Sequence, residues 1–137
     1  MSENSSKMKP YIININPIGS ASEGQLTVVT AGKDIPFDIE RSFWTYHTPT
    51  DVIRGRHAHY ETEMVLFALA GTVTVNLESK SGKTLQYELK KPTEGLYIPT
   101  MYWHTMTYSE GAVQLVLAST QYEESDYIRD YEKWKSL

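Results

Sequence analysis

The chain has 137 residues, a formal net charge of −4 and no cysteine. That length suits one domain with a real core, the absent thiols exclude disulfides and thiol chemistry, and an acidic balance with no basic run beyond Lys90-Lys91 argues against a nucleic-acid partner. No apolar run approaches the roughly 18–20 residues that span a bilayer, and the polar start carries no apolar signal segment, so a cytoplasmic protein with no membrane partner is expected.

Residues 1–10 are polar and read as a disordered leader, followed by one domain over 11–137. Strands are predicted over 11–15, ended by Pro17 and Gly19, and over 26–30, closed by Ala31-Gly32-Lys33-Asp34. A third covers 41–48 and stops at Pro49. The apolar run 64–69 ends at Gly71, and 72–77 then alternates Val73, Val75 and Leu77 against Thr72, Thr74 and Asn76. The loop 79–83 leads into 84–89, and strands over 95–99, 102–108 and 113–119 complete the set. Short strands at this spacing, with turn residues between them, indicate an all-β sandwich or barrel. The last segment, 123–135, differs. Tyr127, Ile128, Tyr131 and Trp134 recur there at helical spacing, which predicts a short amphipathic C-terminal helix whose aromatic stripe packs on the barrel.

Four histidines are present: His47, His57, His59 and His104. His47 stands alone and reads as a satisfied core or surface residue. On a strand, residues i and i+2 point to one face, so His57 and His59 should enter one cavity. Glu63 follows His59 at an even offset, and Pro99-x-Met101-x-x-His104 comes much later. The pattern His-x-His-x-x-x-Glu, then Pro-x-x-x-x-His, resembles the two sequence motifs of the cupin superfamily. That resemblance implies a single-domain jelly-roll barrel. Two features depart from the motifs: Met101 stands where a glycine is usual, and Gly71 lies one residue further from Glu63. Three imidazoles and a carboxylate are also a donor set for iron, manganese, nickel or zinc.

A narrower resemblance bears on whether the cluster transfers protons or holds metal. Arg54-Gly55-Arg56-His57-Ala58-His59 resembles the Arg-Gly-x-His-Ala-His signature of the dTDP-4-oxo-6-deoxyglucose 3,4-ketoisomerases, in the WxcM-like sugar isomerase family. The segments 35–41, 95–99, Trp103-His104, 116–119 and the string Ser125-Asp126-Tyr127-Ile128-Arg129-Asp130-Tyr131 are similar to family stretches in the same order. The resemblance implies an isomerase that moves a keto group from C4 to C3 of a dTDP-linked 4-oxo-6-deoxyhexose through an enediol. It implies no metal and no nicotinamide cofactor. His57 and His59 match the signature histidines and are the expected catalytic pair, with His57 as base. Histidine suits the task because its pKa lies near working pH.

Arg54 and Arg41 are expected to meet the diphosphate or to stabilise enediolate charge, since a guanidinium offers a planar fork of donors. Glu63 is expected to orient a histidine. Trp103 and the tyrosines are candidates to stack on the base, and His104 is expected to stand where galacto-type members carry histidine. Glu23 and Phe43 depart from the family pattern, Phe43 by losing a tyrosine hydroxyl. The resemblance further implies a homodimer and a product that enters deoxyaminosugar synthesis for a surface polysaccharide. Two rival readings remain: a metal-dependent cupin using His57, His59, Glu63 and His104, and a non-catalytic nucleotide-sugar-binding cupin.

Overall fold

Alternation of apolar and polar residues becomes pairing in the computed structural model, which describes residues 8–137. Twelve strands form in chain order: β1 (Tyr11–Asn14), β2 (Ile18–Ser20), β3 (Gly24–Leu26), β4 (Arg41–Thr45), β5 (Arg54–His59), β6 (Met64–Ala70), β7 (Val73–Glu78), β8 (Thr84–Leu89), β9 (Glu94–Ile98), β10 (Trp103–Tyr108), β11 (Val113–Ala118) and β12 (Tyr127–Ile128). They build two five-stranded sheets, in the orders β1-β9-β6-β11-β4 and β12-β5-β10-β7-β8, with β2 and β3 as a separate hairpin. Every pairing is antiparallel. This is the expected all-β jelly-roll barrel with a short C-terminal helix.

The core lies between the two sheets. Met64, Leu66 and Ala68 from β6, Val73, Val75 and Leu77 from β7, and Val116 and Ala118 from β11 meet there. Each set is spaced by two, as a one-sided strand demands. β6 is apolar on both faces because its outer face is covered as well. Val65 and Phe67 pack outward with Tyr97, Leu117 and Ile35, and Met8, Phe37 and Ile39 close over them. Most of the leader expected over 1–10 lies outside the described residues, but Met8 at its end joins this outer layer.

Three segments differ from the sequence reading. The strand predicted over 26–30 is only the end of the β2–β3 hairpin. The strand predicted over 41–48 stops at Thr45, and His47 sits exposed with φ 58°. The helix predicted over 123–135 divides into a 3-10 turn Glu124–Asp126, strand β12 and a helix α1 (Tyr131–Ser136). Asp130 caps α1 by accepting from the Lys133 N–H. Tyr127 and Ile128 gain backbone partners on β5, opposite His59 and Ala58, which outweighs their helical spacing. Trp134, 1% exposed, packs with Ala58 and Ile128, and its indole N–H donates to the Met101 carbonyl at 2.9 Å. The aromatic stripe is therefore core contact, except at Tyr127.

Candidate active site

The cavity opens between the sheets beside β5. Its volume is about 240 Å³, and its walls include His57, His59, His104, Arg54, Phe43, Gln114, Tyr127 and Arg129. β5 and β10 place the histidines. His57 stands opposite His104 across the antiparallel ladder, and His59 follows two residues on. The ring centroids lie 4.5 Å apart for His57 and His104, 4.8 Å for His57 and His59, and 6.0 Å for His59 and His104. The even spacing of His57 and His59 thus delivers both rings to one interior.

A β-bulge sets the start of this arrangement. The register between β5 and β10 shifts between His104 and Thr105, so Arg56 has no partner across the ladder. Gly55 and Arg56 both have positive φ, 85° and 58°. A Cβ on Gly55 would lie 2.8 Å from the His104 carbonyl oxygen, so only glycine fits there. The bulge turns the Gly55 carbonyl toward the following histidine, where it accepts from His57 Nδ1 at 2.9 Å. It also leaves Arg54, at the strand's start, on the cavity wall.

Each histidine is anchored through Nδ1. His104 Nδ1 bonds the Tyr102 carbonyl at 3.1 Å, and His59 Nδ1 bonds Asp126 Oδ2 at 3.0 Å. Burial pulls the pKa of all three below the ordinary value of 6.5. His59 falls to about 4, through desolvation and then the neighbouring His57 charge, against the opposing pull of Asp126. His104 is lowered well below the ordinary value by desolvation and both neighbours, and His57 is lowered mainly by desolvation. The rings are therefore neutral at pH 7. One donor nitrogen from each lies within 4.8 Å of the others, so His57, His59 and His104 could also hold a transition metal.

Cationic and aromatic residues stand at the cavity, although Arg41, expected at the diphosphate, is not among the residues that line it. Arg54 and Arg129 line it. The Arg41 guanidinium lies 5.4 Å from the Phe43 ring and 5.7 Å from the Tyr122 ring, and its buried Nε has no hydrogen-bond partner among the described residues. Arg129 is engaged with Glu124 at 2.7 and 3.0 Å and stacks on Tyr127 at 4.3 Å.

Two expected site residues are placed elsewhere. Glu63 accepts from the Tyr97 hydroxyl at 2.5 Å and meets no histidine. The chain leaves the β-conformation after His59, so the even offset from His59 to Glu63 carries no facing information. The carboxylate that holds a histidine ring is Asp126. Trp103 precedes the inward His104 and so points outward, where it packs on Tyr131 and Trp134 at 5.2 and 5.7 Å. The sequence reading missed Asp126, Tyr127 and Arg129 as site residues. The signal is the Asp-Tyr-Ile-Arg string itself, whose helical spacing points away from the site.

Residues 8–137 match the family described as WxcM-like, C-terminal (FdtA). The chain belongs to the WxcM-like family. Among curated members, the TDP-4-oxo-6-deoxy-alpha-D-glucose-3,4-oxoisomerase of Aneurinibacillus thermoaerophilus is 38% identical over 130 residues, which cover 93% of this chain and 91% of that one. Among solved WxcM-like structures, the 3,4-ketoisomerase QdtA of Thermoanaerobacterium thermosaccharolyticum in complex with TDP is 37% identical, with a TM-score of 0.89 over 93% of this chain and 92% of that one. A histidine-to-asparagine mutant of QdtA was solved with TDP-4-keto-6-deoxyglucose; it is 36% identical, with a TM-score of 0.88 over 93% and 91% of the two chains.

Proposed function

We propose that the protein is an isomerase that moves the keto group of a dTDP-linked 4-oxo-6-deoxyhexose from C4 to C3. The observation that carries this is the convergence of three neutral histidines in one small cavity that Arg54 and Arg129 also line. Pockets for drug-sized ligands usually run from about 300 to 1,000 Å³. A cavity of about 240 Å³ suits a single sugar ring, which leaves the nucleoside and diphosphate over the mouth. There, Arg41 and Arg54 serve the diphosphate. The WxcM-like relatives named for this reaction, and the one captured with TDP-4-keto-6-deoxyglucose, support the same reading.

The chemistry needs one carbon-bound proton moved and one hydroxyl hydrogen relocated. The C4 ketone acidifies the hydrogen on C3. Neutral His57 takes that proton, and the electron pair forms the C3–C4 double bond of the enediol. His59 accepts hydrogen from the C3 hydroxyl and returns it to the C4 oxygen. Protonated His57 then delivers a proton to C4, which leaves the ketone at C3 and His57 neutral again. No metal and no redox cofactor enters this balance, and His104 completes the wall against which the sugar lies.

The product suits an aminotransferase that makes a 3-amino-3,6-dideoxy sugar for a surface glycan. We place the enzyme in the cytoplasm, and among the described residues no helix is long and apolar enough to cross a membrane. We also infer a homodimer, which light scattering would test. The deciding assay offers purified protein a dTDP-4-oxo-6-deoxyglucose substrate with excess chelator and follows the sugar by proton NMR. A 3-oxo product is expected. Activity that vanishes on chelation and returns with one metal would transfer the site to the metal-dependent reading. Binding of TDP without turnover would leave a binding protein.

A further inference from the structure

We infer that Asp126 is a positioning residue that fixes the tautomer of His59 and so keeps His59 Nε2 free to accept hydrogen from the substrate. The inference rests on the isomerase reading for its consequence, but on hydrogen bonds alone for its cause. Each ring's Nδ1 faces an oxygen: the Gly55 carbonyl for His57, the Tyr102 carbonyl for His104, the Asp126 carboxylate for His59. A carbonyl or carboxylate oxygen only accepts, so Nδ1 carries the hydrogen in all three rings and each Nε2 is a bare lone pair. The cluster is therefore a set of three acceptors on rings whose centroids lie 4.5 to 6.0 Å apart. It holds no donor of its own, and hydroxyl hydrogens must come from the substrate.

The three rings differ in what stands behind them. His57 and His104 are backed by neutral carbonyls, His59 by a carboxylate at 3.0 Å. Only at His59 does a side chain, not the backbone, set which nitrogen carries the hydrogen. This fits the division of work proposed above, because His59 Nε2 must be bare to accept hydrogen from the C3 hydroxyl.

Asp126 is itself held. It is 8% exposed, its Oδ1 accepts from the Glu61 N–H at 2.6 Å, and its Oδ2 also accepts from the Thr62 hydroxyl. Thr62 is in turn 2.5 Å from the Thr120 hydroxyl. The Asp126 carbonyl accepts from the Tyr60 N–H at 3.0 Å, and β12 beside it pairs with β5 at Tyr127 and His59. The carboxylate can neither rotate nor retreat without breaking these contacts.

The test is Asp126→Asn. The amide oxygen of the variant must face the Glu61 N–H, which turns its NH₂ toward His59 Nδ1. A donor there drives the ring's hydrogen to Nε2, and His59 then presents an N–H to the cavity. We expect kcat for the keto shift to fall by roughly 10²–10⁴, with TDP affinity within about twofold. Side-chain ¹⁵N NMR should show His59 Nε2 unprotonated in the wild type and protonated in the variant. An Asp126→Asn enzyme with wild-type kcat, or with the wild-type tautomer, would overturn the inference. If the variant does not fold, the wild-type spectrum alone decides: a hydrogen on His59 Nε2 refutes it, and a hydrogen on Nδ1 upholds it. Wild-type protein that turns over no dTDP-4-oxo sugar defeats the isomerase reading instead, and the tautomer measurement still judges the grip of Asp126.

Discussion

His57 sits where three constraints meet. Its backbone follows a bulge, its Nδ1 is tied to the Gly55 carbonyl, and its ring packs against those of His59, His104 and Tyr127. A base works only when unprotonated, and burial lowers its pKa below 6.5. The acid limb of kcat/KM should therefore lie below pH 6.5, with the base fully available at neutrality. His57→Asn removes the base while leaving a polar side chain of similar reach. We expect kcat to drop by about 10²–10⁴ and TDP binding to persist, measured by steady-state kinetics and calorimetry on the same preparation. An Asn variant that keeps wild-type kcat would remove His57 from the chemistry.

At the scale of elements, β5 and its partners explain why the signature is spelled as it is. Gly55→Ala places a methyl group 2.8 Å from the His104 carbonyl oxygen on a residue with φ 85°. Left-handed backbone alone costs a non-glycine residue about 1–2 kcal/mol, and the contact is with backbone that cannot yield cheaply. We expect a loss of at least about 2 kcal/mol in urea denaturation, together with loss of turnover, since the displaced carbonyl no longer anchors His57. The same element shows what the sequence could disclose. Strand alternation brought His57 and His59 to one face, and turn residues bounded most of β6 to β11, because these patterns are local. The contact between His59 and Asp126 joins residues 67 positions apart. It depends on β12 pairing with β5, and no periodicity reports a register between distant strands. Tyr127 misled for a related reason: its helical spacing to Tyr131 and Trp134 is real, yet backbone pairing with β5 decides its conformation. Glu63 and Trp103 failed on parity, Glu63 because the strand ends at His59 and Trp103 because an odd offset from His104 sends it outward.

Taken as a whole molecule, the barrel keeps three adjacent imidazoles neutral, and that choice has a cost in acid. Folded His59 titrates near 4, with His57 and His104 also lowered, all from an ordinary value of 6.5. Once the chain unfolds, each ring is free to take a proton near pH 6.5. For a basic group whose folded pKa is depressed, protons bind the unfolded chain first. Stability is therefore complete above about pH 6.5 and is lost as pH falls toward 4. His59 alone accounts for a loss on the order of 3 kcal/mol by pH 4, and the other two add in the same direction. Urea midpoints should be level between pH 7 and 8 and decline steeply from pH 6 to pH 4.5. His104→Gln keeps a buried polar side chain of similar size and removes one titrating ring, so its decline should be shallower than the wild type's. Midpoints that stay level down to pH 4.5 would mean that the folded barrel accepts protons on these rings. Three bare acceptors facing one cavity would then be the wrong description of its resting state.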